Sequence, residues 1–208
     1  MDRLETDADI ERGIKFLCRQ EPAFARAAAR INAPIRLRRR AGGFDALLKA
    51  IVAQQLSVAS AAAIWARVQA AGLTQEKRIL STTDTALREV GLSRQKIKYI
   101  RALALADVDF DALSASSTEE VVEVLTQISG IGVWTAEIYA MFSLGHQDVF
   151  PSGDLALQEA AKDLFAMNKR PSANALKTKA VDWSPWRAVA AHVLWAYYSA
   201  IKKREGIG

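Results

Sequence analysis

The chain has 208 residues, of which 28 are Lys or Arg, 23 are Asp or Glu, and one is a cysteine. Half of the residues are apolar, which excludes an intrinsically disordered chain. The single cysteine excludes an intrachain disulfide, and also an iron–sulfur cluster or zinc knuckle whose cysteine ligands all come from one chain. The net charge of +5 permits an anionic partner without identifying one.

The sequence shows no export or membrane signal. Its first residues are polar and acidic, and they lack the basic and apolar stretches of a secretory signal peptide. No apolar run reaches the ~20 residues needed to span a bilayer. We therefore expect a cytoplasmic protein.

Helical periodicity runs through the chain, and strict apolar–polar alternation is absent. The pattern predicts an all-α fold. We expect N-caps at Thr83, Ser93, Ser117 and Ser184, the last followed by Pro185 at the first helical position. The predicted helices span about 7–20, 22–31, 44–70, 75–80, 83–90, 93–106, 117–128, 132–144, 154–166 and 185–202.

Two closely spaced glycines, Gly130 and Gly132, join two predicted helices. Such glycines allow backbone angles that other residues resist, and they leave uncovered amides at the start of the next helix. Those amides can bind an anion such as phosphate. An ordinary tight turn explains the same pattern, and on Gly-x-Gly alone the turn is the better interpretation.

An aspartate, Asp154, stands at a predicted helix start after Pro151 and Gly153. The commonest role of an aspartate in such a place is to cap the helix. The local sequence therefore predicts an N-cap.

The longer strings around these residues add a family resemblance. Residues 125–136, Leu-x-x-Ile-x-Gly-Ile-Gly-x-x-Thr-Ala, resemble the hairpin of the helix-hairpin-helix DNA glycosylase superfamily. Residues 149–154, Val-Phe-Pro-x-x-Asp, resemble the segment that carries the catalytic aspartate of that superfamily, downstream of the hairpin. The resemblance covers about residues 44–198 and implies that Asp154 is catalytic. Asp148 falls too early in the motif, and we expect it to cap or pair locally.

The resemblance also implies how DNA is held. The backbone of Gly130, Gly132 and Val133 is expected to hold a phosphate of the damaged strand. The motif Ile-x-x-Gln-Gln-x-Ser at residues 51–57 resembles the family helix whose wedge fills the space left by a flipped base. Alignment places Gln55 at the wedge position, with Leu56 next to it. A glutamine that merely caps a kink is an equally open interpretation.

A third string points to one branch of the superfamily. Residues 183–187, Trp-Ser-Pro-Trp-Arg, followed by Trp195, resemble the 3-methyladenine DNA glycosylase II family without its N-terminal β domain. This implies a base pocket in which Trp195 stacks on the flipped base, with Trp134 as a second aromatic and Ile138 at a wall where the bacterial prototype has tyrosine. Trp134 also stands where strand-nicking members carry a lysine. An indole cannot form a Schiff base, so we expect base removal without strand cleavage.

Other residues carry weaker predictions. We expect Trp183 and Trp186 in the core, and His192 in the core or at the pocket edge. A set of basic residues could bind DNA phosphates, although runs of charged residues more often form a solvent-exposed surface. They are Arg36, Arg38, Arg39, Arg40, Arg94, Lys96, Lys98 and Arg101.

The expected architecture is a two-lobed helical bundle, a single helix-hairpin-helix glycosylase domain over residues 1–208. Lobe A is predicted at about 44–150 and lobe B at about 1–43 plus 151–208. A central DNA-binding cleft is expected between them, with Asp154 and Trp195 facing into it.

The function implied by the resemblance is that of a monofunctional DNA glycosylase in base excision repair. It would hydrolyse the N-glycosidic bond of alkylated purines: 3-methyladenine, 7-methylguanine and also hypoxanthine or ethenoadenine. Two alternatives stay open: a non-catalytic helix-hairpin-helix DNA-binding protein, and a glycosylase for oxidised or deaminated bases. No cofactor is expected beyond a structural monovalent cation at the hairpin, and no metal site built from side chains. The expected protein is a nucleoid-associated monomer of bacterial type that binds double-stranded DNA with alkylated bases and no membrane.

Overall fold

A computed structural model describes the backbone of residues 2–205 and the side chains of residues 2–202. These residues form helices and no β-sheet, apart from one isolated antiparallel bridge between Arg3 and His146. The predicted all-α fold is confirmed. Within the described range, no helix is long and apolar enough to cross a membrane.

The helical elements follow one another in chain order. They are α1 Asp7–Gln20, α2 Pro22–Arg30, α3 Phe44–Ala53, α4 Val58–Ala70, α5 Glu76–Ser81, α6 Asp84–Glu89, α7 Arg94–Leu105, α8 Phe110–Ala115, α9 Thr118–Thr126, α10 Val133–Tyr139, a π-helix Ala140–Leu144, α11 Leu155–Leu164, α12 Ala173–Lys179, a 3-10 helix Ala180–Trp183 and α13 Arg187–Glu205. The chain divides into two compact units. The first runs up to Arg39 and resumes at Ala140, and the second is Arg40–Tyr139.

In the first unit, α13 is the central element and packs against α11, α2 and α1. Small residues such as Ala188 and Ala191 are fully buried along it, so neighbouring helices approach closely. Trp183 is 1% exposed and contacts the rings of Phe24 and Phe165. Trp183 is therefore a core residue, as predicted.

The start of α13 differs from the prediction. Ser184 is not its N-cap but ends the preceding 3-10 helix, and α13 begins at Arg187. The carboxylate of Asp148 accepts hydrogen bonds from the Ser184 hydroxyl at 2.7 Å and from the Arg187 backbone N–H at 3.4 Å. An aspartate distant in sequence thus supplies the cap that the local sequence had assigned to Ser184. Trp186, expected in the core, is only half-buried, and it packs against Gly13 of α1.

In the second unit, α3 packs against α4 and α7, and α9 packs against α10. The single helix predicted over 44–70 is wrong, because α3 ends at Ala53 and α4 begins at Val58. Gln55 adopts a left-handed backbone conformation with φ 55°, which no continuous helix allows. The Ser57 hydroxyl then accepts a hydrogen bond from the Ser60 N–H at 3.2 Å and starts a new helix.

The boundary between the units lies near Tyr139, earlier than the predicted lobe boundary at about residue 150. The π-helix and the residue that follows it are held by the N-terminal part of the first unit. The Leu4 N–H donates to the Gly145 carbonyl at 2.8 Å, and Arg39 donates to the Ser143 carbonyl at 3.0 Å. Two short helices, α8 and α12, were also not predicted, although Asp109 and Ser172 cap them.

Candidate active site

Asp154 lies at the N-terminus of α11 in the first unit, and the predicted N-cap is confirmed. Its Oδ1 accepts hydrogen bonds from the backbone N–H groups of Ala156 at 2.9 Å and Leu157 at 3.1 Å. The same oxygen accepts a bond from the indole Nε1–H of Trp195 at 3.2 Å. Three donors on one oxygen fix the orientation of a carboxylate that is only half-buried.

Trp195 comes from the middle of α13 and brings an aromatic face next to that carboxylate. Its ring is stacked on Phe142, with centroids 5.8 Å apart and planes at 27°. Phe142 lies in the π-helix, and sequence reasoning did not single it out because a buried apolar run gives no signal for one particular ring. The structure thus joins Asp154, Trp195 and Phe142 into one cluster.

His192 adds a third ring beside the two aromatic rings of this cluster. It is 6% exposed, and its ring centroid lies 5.5 Å from that of Phe142 and 6.1 Å from that of Trp195. Its Nδ1 lies 2.8 Å from the Ala188 carbonyl, which assigns the proton to Nδ1. Burial lowers the pKa of His192, and the charge of Arg38 adds to this, whereas the hydrogen bond to Ala188 raises it. The imidazole is therefore neutral at neutral pH.

Asp148 caps and pairs, as predicted, but its partners lie 36 and 39 positions away and not locally in the sequence. Besides Ser184, it accepts hydrogen bonds from Arg187 Nε at 2.7 Å and Arg187 Nη2 at 2.9 Å. Burial raises the pKa of Asp148, but the bonds from Arg187 and Ser184 outweigh it, and the net pKa is lowered. The Asp148 carboxylate therefore stabilises the start of α13.

The glycine hairpin lies in the second unit, between α9 and α10. Gly130 has φ 97°, and a Cβ added there would come within 2.3 Å of the Tyr99 ring. The Gly130 carbonyl accepts a hydrogen bond from Gln54 Nε2 at 2.8 Å. Gly130 is thus required by the packing of the turn itself.

Gly132 differs from Gly130. Its φ is not in the left-handed region, and a Cβ added there would meet none of the described atoms within 4 Å. Gly132 and its neighbour Val133 are exposed, and Val133 is the first residue of α10. The first amides of a helix have no acceptor within the helix, so the exposed start of α10 offers hydrogen-bond donors.

Trp134 and Ile138 lie four residues apart on α10 and therefore on one helix face. The Trp134 side chain is 46% exposed, and Ile138 is half-buried. Tyr139 is 4% exposed, and its hydroxyl accepts a hydrogen bond from the Gly43 N–H at 2.8 Å. Burial raises the pKa of Tyr139. The pocket roles of Trp134 and Ile138 stay predictions.

The proposed wedge residues lie at the turn between α3 and α4. Gln55 is exposed, and Leu56 is 38% exposed. Gln54 ends α3 as its C-cap, so one of the two glutamines does occupy the break between the helices. The position of Gln55 and Leu56 at the tip is compatible with a wedge, and that role stays a prediction.

Several basic residues considered for phosphate contacts are used within the chain. Arg36 pairs with Asp7 at 2.7 Å, and Arg101 pairs with Asp84 at 2.6 Å while donating to backbone carbonyls. Arg39 donates to the Leu4 carbonyl at 3.0 Å. Basic residues thus serve the fold here as well as the surface. Lys96 and Arg101 are half-buried, and the exposed members of the set are Arg36, Arg38, Arg39, Arg40, Arg94 and Lys98.

The cation expected at the hairpin would need oxygen ligands from the loop. Among the described residues, no group of three or more His, Cys, Asp or Glu side chains could hold a metal ion. The carbonyls of Ile128 and Gly130 each accept one hydrogen bond, from the Ile131 N–H and from Gln54. A carbonyl oxygen has a second lone pair, so neither hydrogen bond prevents these oxygens from binding a further ligand. The cation stays a prediction.

An all-α fold with a glycine hairpin in one unit and a capped, tryptophan-bonded aspartate in the other is the arrangement of a helix-hairpin-helix protein. The profile of the HhH-GPD superfamily, described as base excision DNA repair proteins, matches residues 48–185. The chain belongs to this superfamily.

Individual relatives agree with this assignment. The chain is 30% identical over 162 residues to the "Alkylbase DNA glycosidase-like protein mag2" of Schizosaccharomyces pombe, a match covering 73% of this chain and 76% of that protein. The crystal structure of a DNA-3-methyladenine glycosidase from Bacillus halodurans superposes with a TM-score of 0.82 at 33% identity, covering 92% of this chain and 91% of that one. The 3-methyladenine DNA glycosylase Mag1 of S. pombe, solved with abasic DNA, gives a TM-score of 0.75 at 27% identity, covering 88% and 95%.

Proposed function

We propose that this protein is a monofunctional DNA glycosylase that hydrolyses the N-glycosidic bond of 3-methyladenine and other alkylated purines in DNA. The observation that carries the proposal is Asp154, whose Oδ1 is held by two helix amides and by the indole of Trp195. Relatives named as 3-methyladenine glycosylases support the same activity, and the Mag1 complex supports DNA as the partner.

The chemistry requires a fixed negative charge. Cleavage of a glycosidic bond passes through a cationic, oxocarbenium-like state of the sugar. An alkylated purine already carries positive charge and leaves readily, so the reaction does not need a second carboxyl group to protonate it. Asp154 would stabilise the sugar cation, activate water, or do both.

The aromatic cluster supports selection of a cationic base. One face of Trp195 lies on Phe142, and we propose that the flipped base stacks on the other face. A cation over an indole gains roughly 0.5–2 kcal/mol relative to a neutral ring. Since His192 is neutral, it adds no positive charge that would repel such a base.

The hairpin would hold the DNA backbone. We propose that the amides around Gly130, Gly132 and Val133 bind a phosphate of the damaged strand. The open surface over Gly132 supports this, because a side chain there would obstruct the approach of a phosphate to the backbone. Trp134 offers no amine for Schiff-base chemistry, so the expected product is an intact strand with an abasic site.

The test is Asp154→Asn with methylated duplex DNA as substrate. Asparagine keeps an oxygen acceptor for the helix amides but removes the charge. Base release should fall at least roughly a hundredfold, while binding to DNA that holds an abasic-site analogue persists. Asp182→Asn is the matched control, since Asp182 is an exposed aspartate of the same unit, and it should leave release unchanged.

Three results would contradict the proposal. Unchanged base release from Asp154→Asn would remove Asp154 from the mechanism. Chromatography of the bases released by the wild type tests the substrate class. Preferential release of oxidised or deaminated bases over 7-methylguanine would place the enzyme with a different set of lesions, and no release at all would indicate a non-catalytic DNA-binding protein.

A further inference from the structure

One side-chain hydrogen bond joins the turn between α3 and α4 to the glycine hairpin. Gln54 Nε2 donates to the Gly130 carbonyl at 2.8 Å, although the two residues are 76 positions apart. Both lie in the second unit. The bond therefore couples the segment that carries the exposed Gln55 and Leu56 to the segment that carries the exposed Gly132.

The turn depends on its neighbours for its shape. Gln54 leaves the helical conformation with ψ 133°, and Gln55 follows with φ 55°, a conformation that residues other than glycine adopt infrequently. A residue outside α3 also holds its C-terminal end, because Lys96 Nζ donates a hydrogen bond to the Val52 carbonyl at 2.6 Å. Burial lowers the pKa of Lys96, in agreement with its position in this packed junction.

The hairpin side of the bond is closely packed. Gly130 has φ 97°, and the Tyr99 ring fills the space where a Cβ would stand. A cavity of about 430 Å³ opens between the two segments, and its lining includes Gln54, Gln55 and Gly132. The hydrogen bond from Gln54 to Gly130 thus lies along one side of a polar cavity, and Gln55 and Gly132 also line this cavity.

We propose that Gln54 is a positioning residue that sets the distance between the tip Gln55–Leu56 and the hairpin amides. The tip then enters a duplex in register with the phosphate that the hairpin holds. The inference rests on the proposed function, because it requires base flipping from DNA. Gln54 itself does not touch the base or the sugar in this scheme.

A positioning role and a merely structural role give different results with two substrates. Flipping a base out of a duplex needs the tip to fill the vacated space, whereas a base in single-stranded DNA has no partner to leave. Loss of the Gln54 bond should therefore lower base release from duplex DNA and spare release from single-stranded DNA. General loss of folded protein would lower both equally, so the ratio of the two rates is independent of the folded fraction.

The experiment compares Gln54→Met and Gln54→Glu with the wild type on methylated duplex and methylated single-stranded DNA. Methionine has a similar length and no donor, and glutamate places a second acceptor against the Gly130 carbonyl. The ratio of duplex to single-strand kcat/KM should fall roughly tenfold in Gln54→Met and further in Gln54→Glu. The control Gln69→Leu, an exposed glutamine on α4 away from the cavity, should leave the ratio unchanged.

Each outcome has one meaning. A ratio that stays at the wild-type value in both Gln54 variants overturns the inference, whether the absolute rates fall or not. Equal rates of wild type and variants on both substrates overturn it too. Absence of base release by the wild type from both substrates would instead contradict the proposed function.

Discussion

The two compact units present their functional groups in opposite ways. In the first unit, Asp154 is held by donors from within the chain, and Trp195 is held by both Asp154 and Phe142. In the second unit, Gly132 of the hairpin is exposed, and no described atom outside its chain neighbours lies within 4 Å of the place where its Cβ would stand. Side chains fixed by their own fold suit a chemical step, whereas open backbone suits a ligand that arrives from outside. The comparison shows that a catalytic group and a binding surface place different demands on the sequence.

The largest expected effect tests whether the hairpin glycines differ as the comparison requires. Gly130→Ala places a Cβ against Tyr99 and keeps a positive φ, so it should destabilise the fold by about 3 kcal/mol. Gly132→Ala should change stability by less than about 1 kcal/mol and instead weaken binding to abasic-site DNA. Thermal unfolding and a binding titration measure the two effects. If both variants lost stability alike, the hairpin would be as closed as the Asp154 cluster.

A second prediction separates the stability of the first unit from its chemistry. Asp148→Asn removes the charge that Arg187 and Ser184 stabilise, and should cost about 2 kcal/mol at neutral pH. Because the folded pKa of Asp148 is lowered, its contribution is complete above the unfolded value of 3.8 and is lost as the pH falls through the folded pKa. Unfolding measured from pH 7 to below the folded pKa of Asp148 should show a constant difference in stability between wild type and variant down to about pH 4, and a shrinking difference below pH 3.8. A difference that did not shrink in acid would argue against the ion pair.

The smallest expected effect concerns the link between Trp195 and Asp154. Trp195→Phe keeps an aromatic ring beside Phe142 and removes the indole donor. The two helix amides still hold Asp154, so base release should fall only about tenfold, with most of the change in kcat. Single-turnover kinetics measure this. A loss as large as that of Asp154→Asn would show that the indole, and not the helix terminus, fixes the carboxylate.

The sequence predicted the features that depend on neighbouring residues. The all-α fold, the bounds of α1 and the N-cap at Asp154 follow from local periodicity and capping chemistry. The break at Gln54–Ser57 contradicts the single helix predicted over 44–70, although a glutamine that caps a kink was one of the two open interpretations there. Ser57 alone does not distinguish a cap from a helical serine.

Features that depend on distant partners could not be predicted from local sequence. The start of α13 at Arg187 depends on Asp148, which lies 39 positions earlier. Phe142 reaches Trp195 from a π-helix, for which the buried run Ala140–Leu144 gives no specific pattern. The bond from Gln54 to Gly130 joins two motifs that the family resemblance identified separately.

Packing restricts sequence change at Gly130 more strongly than at Gly132. Selection for folding alone keeps Gly130 as long as Tyr99 occupies the space beside it, and it leaves Gly132 free to change. A descendant that kept the fold and lost its ligand would therefore accumulate side chains first at Gly132. On the proposed role of the hairpin, Gly132 is thus a position at which a loss of binding would become visible in the sequence.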